Sequence, residues 1–451
     1  MLTPEAARAF LAAHPSVATI ELVFPDMNGV ARGKHLPADQ IDKLFGKVRM
    51  PASLYNLDIL SADVEKAGIA LSRGDPDGFC HAVRLGPARW SGGRRAVALM
   101  TMTEADGSPC PYDPRQALAQ VEARFRARGL VPVIAPELEF YLVDAARDAS
   151  GRAQPPLSPL GNERLSEAQI YRLSIQNPFA GIIEEMILAA RDLGCGADVA
   201  LAEFGPGQFE INLTHVAGAL EAADQAFLLR LAIRETARRH GMEASFMAKT
   251  YGDCAGSGLH FHVSVLDAQG HNIFAGDAPD RPNRALAGAI GGLKRHMAAS
   301  MLLFAPHLNS FRRFGPGTYA PFVAAWGLDN RSTAIRVPAT TGAAARIEHR
   351  LAGADANAYL ALAAILQAML EGMDEATDPG PPTRGEAGPG DGPLLPLGWG
   401  RAVIAFQEDP FPARALGAEF ARCYALMKEQ EMARLNLRVT DVDYDVYLRS
   451  V

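Results

Sequence analysis

The sequence predicts an α+β protein, with a small amino-terminal unit of short strands and loops followed by a larger unit that mixes long helices with strands. Two observations predict it. Up to about residue 105 the apolar runs are short and broken by Gly and Pro, whereas capped amphipathic helical periods begin at Asp113. Several strand-like segments of the second region also carry polar side chains at every second position, which places them on one face of a sheet. The 451 residues are 48% hydrophobic, 21% charged and 7% aromatic, a globular composition that excludes disorder and collagen-like repeats. A net charge of −7, from 44 Lys+Arg against 51 Asp+Glu, argues against a nucleic-acid partner.

Cys80, Cys110, Cys195, Cys254 and Cys423 are scattered and form no CxxC pair, which suits a reducing cytoplasm rather than a disulfide framework or a zinc ribbon. Glu5 and Arg8 stand where a secretory leader needs an apolar run. The longest apolar run lies between Asp355 and Glu371 and is too short to span a bilayer, so no membrane partner is expected.

Thr3-Pro4-Glu5 has the cap-then-proline start of a short helix. A strand over 19–24 and a turn at Asp26-Met27-Asn28-Gly29 follow. A boundary falls near 106–112, dividing the chain into 1–108 and 109–451. Asp113-Pro114-Arg115 starts a helix that ends at Gly129, and a strand covers 131–143. Helices are expected over 177–193, closed by Gly194, and over 217–240, closed by Gly241. Residues 378–392 read as a surface loop and 416–435 as a final helix.

The chemistry sits in four strand-like segments. Glu137 and Glu139 share one strand face, as do His260, His262 and Ser264, and as do Arg346, Glu348 and Arg350. A fourth segment sets Glu203 and Glu210 around Gly205-Pro206-Gly207. Any one of these could be a solvated strand face. Four together, each with an apolar opposite face, point to one functional sheet surface. Like charges on one face repel, so this many glutamates need cations, and a divalent metal cluster supplies them. Glutamates with histidine and no thiolate suit Mg²⁺ or Mn²⁺ better than structural zinc. Arg312, Arg313, Arg331 and Arg336 add cations; Arg331 and Arg336 lie among small and apolar residues, which favours clamping a phosphate or carboxylate over surface pairing. Metals beside arginines describe phosphoryl-transfer electrostatics, while neither a P-loop nor a GxGxxG after a strand is present.

Taken together, Glu137-x-Glu139, Glu203-Phe-Gly-Pro-Gly-Gln-Phe-Glu210, Gly256-Ser-Gly-Leu-His260-Phe-His262, Asn309-Ser-Phe-Arg-Arg313, Asn330-Arg331, Arg346-Ile-Glu348-His-Arg350 and Asp355-Ala-Asn357 resemble the glutamine synthetase family in order and spacing. The resemblance implies a β-grasp amino-terminal domain and a catalytic domain built on a curved antiparallel sheet flanked by helices. It implies an ATP-dependent ligase, in which the γ-carboxylate of L-glutamate takes the γ-phosphoryl group of ATP and an amine then displaces phosphate. Glu139, Glu203 and Glu210 would hold one metal, and Glu137, His260 and Glu348 another. His262, Ser264, Arg331 and Arg336 would bind ATP; Gly256, Arg313 and Arg350 would bind glutamate. Arg313, Arg331 and Tyr319 are the expected catalytic residues. A dodecamer of two stacked hexamers, with sites shared between subunits, is also implied.

Three departures bear on the amine. Tyr319, in Gly315-Pro316-Gly317-Thr318-Tyr319-Ala320-Pro321, stands where glutamine synthetases carry a glutamate. Met50-Pro51-Ala52-Ser53-Leu54 lacks the family's Asp, and Ala255 replaces an asparagine. Two carboxylates suited to ammonium are therefore missing, and a tyrosine hydroxyl with a reference pKa of about 10 does not replace one. A larger amine fits better, and the pattern is similar to the γ-glutamylpolyamine (γ-glutamylputrescine) synthetase branch. Ammonia, a small monoamine such as methylamine or ethanolamine, and an inactive scaffold are the alternatives. A guanidino kinase is disfavoured by the strand spacing and the His-x-His. No tyrosine lies between Tyr359 and Tyr424, so control by tyrosine adenylylation is not expected.

Overall fold

Thr3 accepts a hydrogen bond from the Ala6 amide and proline opens the first turn, so α1 forms over Pro4–Ala13. Five strands follow: β1 (Thr19–Pro25), β2 (Ala31–Pro37), β3 (Phe45–Pro51), β4 (Asp77–Pro87) and β5 (Arg95–Thr103). They form a mixed sheet in the order β2-β1-β5-β4-β3, with β1 and β5 parallel, and make the small β-grasp-type unit. This computed structural model describes residues 2–69, 74–161, 163–315 and 318–451.

Asp113 caps α2 (Pro114–Arg126) by accepting from the Arg115 amide. Its other oxygen accepts from Thr101 Oγ1 at 2.6 Å and Tyr55 Oη at 3.1 Å, which ties the first helix of the large unit to the small sheet. The chain then runs through β6 (Val131–Asp144), α3 (Leu173–Asp192), β7 (Ala197–Ala202), β8 (Gln208–Leu213), β9 (Val216–Ala217), α4 (Ala219–Arg239), β10 (Met242–Ser245) and β11 (Leu259–Leu266). It continues with α5 (Arg284–Phe304), β12 (Trp326–Leu328), β13 (Ile335–Ala339), β14 (Arg346–His349), α6 (Ala358–Glu375), α7 (Trp399–Glu408), α8 (Phe411–Leu416), α9 (Ala418–Asn436) and α10 (Asp441–Tyr447). The strands of this unit make one sheet, β12-β13-β14-β11-β6-β8-β7, with β9 and β10 also pairing with β6. It is antiparallel except between β12 and β13.

The alternation in β6 and β11 sorts the two faces of this sheet. Ile134, Leu138 and Phe140 of β6, and Leu259, Phe261, Val263 and Val265 of β11, are buried. Helices α2 and α4 pack on β6, α3 on β7 and α5 on β14. The glutamates and histidines alternate with these apolar residues and take the opposite face.

Several helices depart from the expected outline. The apolar run after Asp355 is α6, buried on all sides from Ala358 to Leu370 and capped by Asn357. It packs against α5, α2 and α4. Helix α3 starts at Leu173, earlier than expected, with Pro178 inside it. A further short helix, α10, follows α9, which was expected to be last. No helix among the described residues is long and apolar enough to cross a membrane.

Candidate active site

Strand register brings the polar residues of separate segments together. Across β6 and β11, Glu137 stands opposite His260. Across β6 and β8, Glu139 stands opposite Glu210, and across β11 and β14, His262 stands opposite Glu348. Glu203 arrives from the turn between β7 and β8, its amide held by the Gln208 carbonyl at 2.9 Å. Three sets can each bring ligand atoms within 4.8 Å of one another: Glu139, Glu203 and Glu210; Glu137, Glu210 and His260; and Glu137, His262 and Glu348.

The hydrogen bonds fix individual orientations. Glu139 Oε2 accepts from the Gly258 amide at 2.8 Å. Arg346 Nε donates to His262 Nδ1 at 3.1 Å, so His262 Nε2 carries its proton and donates to Glu137 Oε1 at 2.9 Å. His260 Nδ1 lies 3.7 Å from Glu137 and 3.9 Å from Glu348. Arg336 donates to Glu348 at 2.6 Å and to Asp329 at 2.6 Å, and Arg350 donates to the other oxygen of Glu348. Arg313 is buried and donates to the carbonyls of Leu351 and Arg350. A Cβ at Gly256 would lie 2.6 Å from Arg313 Cγ, and one at Gly258 would lie 2.6 Å from His260 Nε2. Only glycine lets Arg313 and His260 stand this close to that backbone.

The electrostatics show an excess of negative charge. Burial, and then Glu139 beside it, pushes Glu203 up to about 7. Burial, and then Glu139, Glu137 and Glu203, pushes Glu210 up to about 9. Glu137 and Glu348 go the other way. Burial opposes their charge, but His260 and His262 outweigh it at Glu137, and Arg350 with the two histidines outweighs it at Glu348. Both are held below the usual carboxylate range. Clustered carboxylates that lift each other's pKa, beside imidazole and without thiolate, are a donor set that fits a hard divalent cation.

Not every expected residue joins this cluster. Ser264 lies on β11 two positions beyond His262, opposite Val133. Tyr319 is 75% exposed, with a left-handed φ of +52° that is costly for a bulky residue. Tyr319 and Arg331 line a cleft of about 890 Å³ with Phe322, Leu328, Arg384 and Glu386. Among the described residues, no hydrogen bond or ion pair joins either to the carboxylate cluster. Pro316 and Gly317 lie outside the described residues. The Ala255 carbonyl accepts from Tyr141 Oη at 2.8 Å.

Sequence reasoning missed Asp329, which shares Arg336 with Glu348. It also missed Asp75, which takes hydrogen bonds from the hydroxyl and amide of Ser53 at 2.8 and 3.3 Å. The Met50–Leu54 segment lacks an acid of its own but has one brought to it from a loop. The only signal was the turn-forming Asp75-Pro76 pair.

The model of the glutamine synthetase catalytic domain matches residues 111–447. The chain belongs to the glutamine synthetase family. Among its relatives in this family of ligases, gamma-glutamylputrescine synthetase PuuA of Escherichia coli (strain K12) is 37% identical over 445 residues, covering 98% of this chain and 94% of that protein. Gamma-glutamylethanolamide synthetase GlnA4 of Streptomyces coelicolor is 32% identical, covering 96% and 92%, and a glutamine synthetase of Halobacterium salinarum is 31% identical, covering 95% and 93%. The structure is similar to that of GmaS without ligand, with a TM-score of 0.83 and 26% identity over the whole of both chains. It is equally similar to a complex of GmaS with ADP, with a TM-score of 0.83 and 27% identity over 98% of each chain.

Proposed function

We propose that this protein is an ATP-dependent ligase that joins the γ-carboxylate of L-glutamate to an amine larger than ammonia, with putrescine or another polyamine favoured. The observation that carries the choice of amine is Tyr319, an exposed aromatic residue on the wall of the open cleft, at the position where family members that use ammonia are expected to carry a carboxylate. The likeness to a gamma-glutamylputrescine synthetase over 98% of the chain supports the same reading.

In this reading Glu139, Glu203 and Glu210 hold one Mg²⁺ or Mn²⁺, and Glu137, His260 and Glu348 hold a second. When bound, such ions neutralise charge on the phosphates. His262 and Ser264 lie along ATP, and Arg331 and Arg336 grip its phosphates. Arg313, Arg350 and the bare backbone at Gly256 bind glutamate. Because Arg336 and Arg350 both rest on Glu348, ligand binding exchanges one set of ion pairs for another. The γ-carboxylate oxygen attacks the γ-phosphorus and ADP leaves. The amine nitrogen then attacks the acyl carbon, phosphate leaves, and the nitrogen gives up a proton. We further propose that 1–108 and 109–451 are separate domains, and that the chain forms a dodecamer of two stacked hexamers with shared sites. Val442, Tyr444, Val446 and Leu448, exposed in and beside α10, offer apolar surface for such contacts.

ADP release with glutamate and ammonium, methylamine, ethanolamine, putrescine or a longer polyamine tests the substrate. Turnover at the lowest concentration is expected with putrescine or a longer polyamine. Saturable turnover with ammonium alone would replace this reading with glutamine synthesis. Tyr319→Glu is expected to gain ammonium-dependent turnover at the expense of the larger amine.

A further inference from the structure

A second cavity, of about 380 Å³, lies where the two sheets' units meet. Asn28, Val30 and Ile59 of the small unit face Arg230, Arg234 and Phe246 of the large one across it. Both arginines lie beside the Phe246 ring, with guanidinium carbons 5.4 and 5.1 Å from its centroid. Arg230 is nine-tenths buried; its Nη2 donates to the carbonyls of Ala354 and Ala356, while its Nε is buried with no hydrogen-bond partner. Arg234 makes no hydrogen bond or ion pair among the described residues.

The nearby acids offset these charges only in part: Asp355 acts on Arg230 and Glu235 on Arg234, but neither forms an ion pair with them among the described residues. Glu243 pairs with Arg147 at 2.5 Å, and Asp355 accepts from Ser310 at 2.6 Å. Neither makes an ion pair with Arg230 or Arg234 among the described residues. Burial and then the neighbouring Arg234 push Arg230 down to about 9, with Asp355 opposing in part. The fork of a single guanidinium offers two parallel N–H donors to carboxylate or phosphate oxygens, and Arg230 and Arg234 both line this cavity, with Glu243 and Asp355 engaged by Arg147 and Ser310.

We propose that this cavity is a binding site for a small anion bearing carboxylate or phosphate oxygens, held by Arg230 and Arg234 at the junction of the two units. The site connects to the catalytic face through backbone. Arg230 holds the Ala354 carbonyl, the Ala354 amide donates to the Ser257 carbonyl at 3.0 Å, and the adjacent Gly258 amide holds Glu139. An anion that draws Arg230 toward itself therefore acts on the segment that carries Gly256 and Gly258.

Calorimetric titration of the full-length protein with inorganic phosphate and, separately, with succinate tests the site. Saturable binding of at least one of them is expected, weakened at least tenfold in Arg234→Gln and also in Val30→Phe, which narrows the cavity without removing charge. The same binding is expected to persist in Arg336→Gln, which weakens any phosphate bound at the catalytic face; loss of the binding in that variant overturns the proposal. Binding of phosphate alone assigns the site to phosphates, and binding of succinate alone assigns it to carboxylates. No saturable binding of either, or binding unchanged by Arg234→Gln and Val30→Phe, overturns the proposal.

Discussion

Glu210 shows how one side chain carries both the cost and the use of this site. Its folded pKa, raised by burial and by three other glutamates, lies above its unfolded value of 4.5. A raised carboxyl contributes stability that is present below the unfolded pKa and is lost as pH rises toward the folded one. The metal-free protein is therefore expected to lose thermal stability as pH rises toward about 9. A divalent cation competes with those protons, so the melting shift produced by Mg²⁺ should grow from pH 6 to pH 9, and should grow less in Glu210→Gln. A shift of the same size across that range would mean that Glu210 does not face the ion. The pairing of Glu137 with Glu139, and of His260 with His262, was legible in sequence because side chains in strands alternate strictly. Asp75 and Asp329 were not, because loops place side chains without a period.

Elements were legible where local rules decide them. Thr3, Asp113 and the glycines after α3 and α4 mark helix ends by capping, and β6 was expected within a residue of its length. Helix α6 shows only an apolar run because it is buried on all sides, whereas α5, with Arg284, Arg295 and Ala298 exposed, was missed despite its polar side. Their contact depends on glycine: a Cβ at Gly292 would lie 2.0 Å from the Ala368 carbonyl oxygen. Gly292→Val is expected to force the two helices apart and destabilise the fold by about 2 kcal/mol or more. A urea midpoint equal to wild type would show that this close approach does not contribute to stability. Helix α10 escaped notice because three of its seven residues are acidic and none of the seven is buried.

The whole molecule is tied together by buried polar groups that no local pattern reveals. Lys428 and Glu431 of α9 are fully buried, paired at 3.0 Å, and both bond Asn28 of the small unit. Asn357 reaches across to the carbonyls of Asp26 and Met27, and Asp58 takes Arg434. Burial opposes the charge of Glu431, but Lys428 and His307 outweigh it and hold its pKa at about 2. That stabilisation is present above the unfolded value of 4.5 and fades as pH falls toward 2. Lys428→Met takes the nearest cation from the buried Glu431 carboxylate, leaving it Asn28, the Ile59 amide and His307 at 3.8 Å, and is expected to cost about 3 kcal/mol near neutral pH, with the loss shrinking in acid. Equal melting temperatures for variant and wild type at pH 7 would remove this pair from the account.

The function of the whole chain rests on which nitrogen ends up on glutamate. The most direct measurement is mass spectrometry of the product formed from ATP, L-glutamate and equimolar ammonium and putrescine in one reaction. The expected product is γ-glutamylputrescine, formed with one ADP and one phosphate for each amide bond. Glutamine as the main product would contradict the proposed function.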